Sequence, residues 1–111
     1  MPSLGTVTLA GKTGKAHKFR VYPLGTVFKK GLAGVFVLTE RTLRDTTGSM
    51  RHRPLFVGQS GDLRQPHAGA ANALTKGSAN CICVCAEPDA GLRQGIQEDL
   101  GAGRLRKAGP Q

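Results

Sequence analysis

Three cysteines, Cys81, Cys83 and Cys85, alternate within CICVCA. On a strand this spacing turns all three thiols to one face. A line of ligands on one strand cannot surround a metal ion as a CxxC turn can, so they read as small core residues beneath a helix. His17, His52 and His67 stand singly, with no HxxxH or His-Cys spacing among them, and read as structural or surface residues. VGQSGD at 57–62 contains two glycines but lacks the Gly-Lys-Ser/Thr ending of a phosphate loop, and no GxSxG elbow occurs. The acidic pairs Glu87/Asp89 and Glu98/Asp99 could suit a hard cation. Carboxylates in and near the first turns of a helix are also ordinary partners of its dipole, and that is the reading adopted. No metal site is expected.

Charge carries more chemistry than any of these. The 111 residues include 16 Lys or Arg against 7 Asp or Glu, a net +9. Residues 1–53 hold ten of the basic residues and two of the acids, a net +8. Lys18 and Arg20 stand in AHKFRVY; Arg41, Arg44, Arg51 and Arg53 crowd the polar stretch ERTLRDTTGSMRHR at 40–53, and Arg64 follows. A surface this basic attracts polyanions, nucleic acid first, by releasing their counterions. With no Trp, one Tyr and four Phe, aromatic platforms for bases are few. The longest apolar runs are far short of a membrane span, so no membrane partner is expected. MPSLGTVTLAGK lacks a basic-then-apolar leader, and an odd number of cysteines suits a reducing compartment; both point to the cytoplasm.

The elements that must present these residues follow from periodicity. The length allows one domain, 1–111, in which 1–30 form an N-terminal hairpin extension, 31–111 the core, and 104–111 a basic tail. GTVTLA at 5–10 and AHKFRVY at 16–22 alternate about the turn GKTG, with Phe19 and Val21 inward and Lys18 and Arg20 outward. Pro23 ends the hairpin, and GTVFKKG at 25–31 adds a short extended piece with Phe28 inward. GVFVLT at 34–39, PLFVG at 54–58 and CICVCA at 81–86 are apolar enough to be buried strands. The segment 40–53 between the first two reads as a long loop, and loops of that length are often functional. Helical composition runs from Leu63 to about Leu74, with Pro66 in the first turn. A second helix opens at Pro88-Asp89 and repeats Leu92, Ile96 and Leu100. The expected class is α/β (α+β): a small mixed sheet with two helices packed on it. Residues 54–86 form a right-handed parallel crossover.

Two segments in order, GVFVLTER at 34–41 and PLFVGQSGDLR at 54–64, resemble the GIY-YIG nuclease superfamily. The signature triplets read Gly34-Val35-Phe36 and Phe56-Val57-Gly58, followed by the turn QSGDL. Gly77-Ser78-Ala79 resembles the family's lead into its third strand, and 92–100 its metal-bearing helix. VYPLGTVF at 21–28 resembles a leader of small stand-alone bacterial members. The resemblance covers almost the whole chain.

What it implies is phosphodiester cleavage by a strand tyrosine, a helix arginine and a glutamate holding one divalent cation. The matching positions depart from that set. Both tyrosines are phenylalanines, Phe36 and Phe56, which cannot move a proton. The arginine position is Pro66, the glutamate position is Gln97, a poor ligand for a hard cation, and the closing asparagine is matched by Gln111. Arg64 and Glu98 are the nearest substitutes.

The expected function is therefore nucleic-acid binding, DNA foremost, by a GIY-YIG-like domain that does not cleave and needs no cofactor. The binding residues are Lys18, Arg20, Arg41, Arg44, Arg51, Arg53 and Arg64, with hairpin and Arg-rich loop joined in one basic surface. Two alternatives accompany it. One is a magnesium-dependent endonuclease using Arg64 and Glu98; the other is a protein-interaction or inhibitor module that kept the fold.

Overall fold

The computed structural model describes residues 3–44, 49–64 and 78–101. Five strands make one sheet: β1 (Gly5–Ala10), β2 (Ala16–Pro23), β3 (Gly34–Arg44), β4 (Ser49–Ser60) and β5 (Cys81–Ala86). Among the described residues one helix, α1 (Ala90–Leu100), follows. The domain is α+β, with strands predominating. Residues 65–77, which include Pro66 and most of the first expected helix, lie outside the described residues, as do Gln111 and the basic tail.

The sheet order is β1-β2-β5-β3-β4, and every ladder is antiparallel. The expected mixed sheet is thus corrected. β4 and β5 do run in the same direction, because β3 is antiparallel to both, but β3 lies between them and they share no ladder. β5 enters the middle because its residues are apolar on both faces, and a central strand buries both.

The expected loop at 40–53 is also corrected. β3 and β4 stay paired out to Arg44 and Ser49, so Arg41, Arg44, Arg51 and Arg53 sit on a hairpin ladder. Charged residues can line a strand when they alternate on exposed faces, and here Glu40 lies opposite Arg53 and Thr42 opposite Arg51. The register shifts once, where Leu38 pairs Phe56 and Thr39 pairs Pro54, leaving Leu55 as the extra residue. Pro54 is tolerated there because β4 is an edge strand. Residues 25–31 form no strand, although Phe28 is buried as expected.

Alternation along the strands divides the core in two. Val35, Val37, Val57, Phe19, Val21, Cys81 and Cys83 face α1 and pack with Leu100, with Cys85 and Ile96 at the margin. Phe36, Leu38, Ile82 and Val84 face the other way and are covered by Phe28, Leu63 and Ala79. We call these the helix face and the loop face.

Asp89 caps α1 by accepting the Leu92 N–H at 2.9 Å. Gly101 ends the helix at φ 93°, a left-handed value that disfavours other residues. The apolar stripe differs from the expected one: Leu92 is 59% exposed, and Arg93 takes the inward place with Ile96 and Leu100. Arg93 is held by its polar end. Its Nε donates to Gln59 Oε1 at 2.9 Å, and its Nη1 donates to the carbonyls of Glu87 and Pro88. The guanidinium thereby ties α1 to β4 and to the loop leaving β5.

Candidate nucleic-acid interface

The β1–β2 hairpin closes through Gly11 N–H to Lys15 O at 2.9 Å. His17, Phe19 and Val21 face the helix, so Lys18, Arg20 and Tyr22 stand on the loop face. Opposite them on β1, Thr8 pairs Lys18 and Thr6 pairs Arg20. Thr6, Thr8, Lys18 and Arg20 are all exposed. Lys18 and Arg20 make no ion pair among the described residues. Beside them runs a groove of about 480 Å³ lined by Thr6, Lys18, Arg20, Tyr22, Leu32 and Val84.

The hairpin is braced from the far side of the sheet. His17 Nε2 donates to Asp99 Oδ2 at 2.8 Å, and Thr13 N–H donates to Asp99 Oδ1 at 3.0 Å. The His17 ring and the Thr13 amide hold the Asp99 carboxyl down at about 2. Because a carboxylate only accepts, the ring proton sits on Nε2. The Lys12 N–H donates to the Asp99 carbonyl at 2.8 Å, so the hairpin and the helix end are joined by three hydrogen bonds.

The other basic residues are placed elsewhere. Arg20 is level with Val84 and Phe36, whereas Arg41 lies five residues further along β3, about 17 Å on in the strand direction. The hairpin and the arginines of β3–β4 therefore lie at different levels of the sheet, and Arg41 is on its other face. Arg53 is occupied: its Nε and Nη2 both donate to Glu40 Oε1, at 3.0 and 2.7 Å. Arg41 lies on the helix face beside the Cys81 thiol, while Asn80 brackets its backbone with two hydrogen bonds. His52 bonds Thr39 Oγ1 through Nδ1 at 3.0 Å; burial, then the Arg41 charge, push its pKa down. Arg51 and Arg64 are exposed. Arg44 belongs to the outer end of the β3–β4 ladder.

The signature-like positions separate. Phe36 and Phe56 stack on the loop face, ring centroids 6.3 Å apart and 22° between planes. Phe36 is 3% exposed. Gln97 and Glu98 lie on α1, across the sheet, and Glu98 accepts a hydrogen bond from Gln94 at 3.0 Å. The structure does not bring Glu98 to the phenylalanine pair. Burial pushes all three thiols up, Cys83 to about 12. Among the described residues no three His, Cys, Asp or Glu side chains gather so as to hold a metal, and no helix is long and apolar enough to cross a membrane.

Two features of the site were missed in sequence. Tyr22 continues the outward row of Lys18 and Arg20 at the same two-residue step, a signal that was present. Leu32 reaches the groove from a loop, and no local pattern marks it. No family model, curated protein or solved structure matches the chain.

Proposed function

We propose that this chain is a nucleic-acid-binding domain of GIY-YIG-like kind that does not cleave its ligand. The observation that carries the reading is the pair Lys18 and Arg20, exposed and without acidic partners among the described residues, beside a groove on a face bearing threonine hydroxyls. Phosphate oxygens suit such donors, and charge of this kind positions a backbone without reading its bases.

The GIY-YIG likeness is supported by the two triplets lying across one hairpin, with Phe36 opposite Gly58. Loss of cleavage is supported by the missing hydroxyls and by the separation of Glu98 from them. That separation also weighs against the magnesium-dependent alternative.

The test is a mobility-shift titration of a duplex and a single-stranded oligonucleotide of equal length at two salt concentrations. Binding should weaken steeply with salt, by a log–log slope of about −0.7 to −0.9 per phosphate contact. Replacing Lys18 and Arg20 together by Ala should flatten that slope by about 1.5. Affinity insensitive both to salt and to the double replacement would refute the reading and favour a protein-interaction module.

A further inference from the structure

We propose that the groove beside Lys18 and Arg20 takes a single strand of nucleic acid, with successive phosphates at Lys18 and Arg20 and a base against Tyr22. The inference rests on the nucleic-acid reading above and names the kind of ligand that this same site accepts.

The argument begins with spacing. Lys18 and Arg20 are two residues apart on one strand face, so their Cα atoms stand about 6.7 Å apart. Neighbouring phosphates along one nucleic-acid strand have a comparable separation. Each cation has a threonine opposite it in register, Thr8 for Lys18 and Thr6 for Arg20. Each phosphate would thus meet one charge and one hydroxyl donor.

The next residue in the same row is Tyr22. Its ring packs perpendicular to that of Phe28, with centroids 5.2 Å apart and planes at 88°. A ring held in this way loses little freedom when a base settles beside it. Tyr22, Leu32 and Val84 give the groove an apolar wall, while Lys18, Arg20 and Thr6 give it a polar one. A backbone on one side and a base on the other is the division a single strand presents, because its bases are unpaired and free to turn inward. A duplex presents phosphates on a wide convex surface with its bases stacked inside. It would touch the two cations and leave the wall beside Tyr22 uncovered. A volume of about 480 Å³ is on the scale of a small-molecule site, not of a duplex groove.

The experiment measures fluorescence anisotropy of labelled twelve-residue oligo-dT and oligo-rU, and of a duplex of the same length, with the full chain. Both single strands should bind at least about tenfold more tightly than the duplex at equal salt. Tyr22→Leu keeps an apolar side chain against Phe28 and removes the aromatic face. It should weaken single-strand binding about tenfold while leaving the salt slope and the duplex affinity unchanged. Circular dichroism verifies that the variant is folded. Lys18→Ala with Arg20→Ala should instead flatten the salt slope by about 1.4 on oligo-dT.

If the duplex binds as tightly as the single strands, or Tyr22→Leu leaves single-strand affinity unchanged, the inference is overturned and the nucleic-acid reading survives. If none of the three probes binds, both fall. A preference between oligo-dT and oligo-rU, with both still tighter than the duplex, supports the inference and shows that the sugar hydroxyl or the base methyl is sensed.

Discussion

The ring of Phe36 occupies the place where a side chain on Gly58 would go. The two residues are directly opposite on β3 and β4, and a Cβ on Gly58 would stand 2.6 Å from Phe36 Cζ. The glycine and the aromatic residue of the two signature-like triplets are therefore one packing unit. Their pairing is a requirement of the loop-face core, whatever chemistry the sheet carries.

That unit predicts a coupled pair of substitutions. Gly58→Ala should destabilise the domain by about 1–3 kcal/mol, because Phe36 must leave its rotamer. In a Phe36→Leu background the same change should cost clearly less, since the smaller side chain yields the space. Urea melts of the four chains give the coupling energy, and additive effects would contradict the packing argument.

Asp99 predicts an acid limb in the stability profile. Its carboxyl lies at about 2 in the folded chain, against an ordinary 3.8. Between those values the unfolded chain binds a proton that the folded chain does not, so stability falls as pH falls. The contribution is complete above about pH 4–5 and gone below about pH 2. Asp99→Asn should therefore be less stable than the parent at pH 7, and the difference should shrink toward pH 2. Urea midpoints measured at pH 7, 4, 3 and 2 check this.

Thiol labelling should follow burial. Cys85 is half-buried, whereas Cys81 and Cys83 are buried, and Cys83 is pushed up to about 12. At pH 8 a thiol reagent should modify Cys85 first and Cys83 last, with all three reacting fast in denaturant. Mass spectrometry of the labelled chain reads the order. Rapid modification of Cys83 in the native protein would contradict its position beneath α1.

Arg93 predicts a loss that lysine does not restore. Arg93→Ala removes one bond to Gln59 and two to the carbonyls of Glu87 and Pro88. It should cost about 2 kcal/mol or more, since bonds from a charged donor are the stronger kind. Arg93→Lys offers one compact ammonium in place of a planar fork and should recover only part of that. Thermal melts of the two variants decide it; full recovery with lysine would mean that charge alone matters at this position.

Supercoiled plasmid should remain intact with the purified chain in magnesium or manganese. Phe36 and Phe56 carry no hydroxyl, and Glu98 stands on the opposite side of the sheet. Agarose gels resolve nicked from closed circles. Nicking that disappears in Glu98→Ala or Arg64→Ala would reinstate the endonuclease alternative.

Much of the local structure was legible in the residues themselves. Alternation placed β1, β2 and β5 within a residue, turned Lys18 and Arg20 outward, and put the three cysteines on the side that α1 covers. Asp89 marked the start of the helix. These features were readable because backbone geometry imposes a period of two on a strand and a cap on a helix end, whatever lies nearby. Tertiary structure decided which elements meet. β5 lies between β2 and β3 because only a central position buries both of its faces. The polar 40–53 segment is largely strand because each half pairs with the other across the hairpin, and no local apolar period announces that. Arg93 turns inward in place of Leu92 because Gln59 and two loop carbonyls await it there. His17 and Asp99 meet across 82 residues of chain. The groove beside Tyr22 exists because Leu32 arrives from a separate loop. Periodicity is a property of a segment; a site is a property of the partners that burial assembles around it.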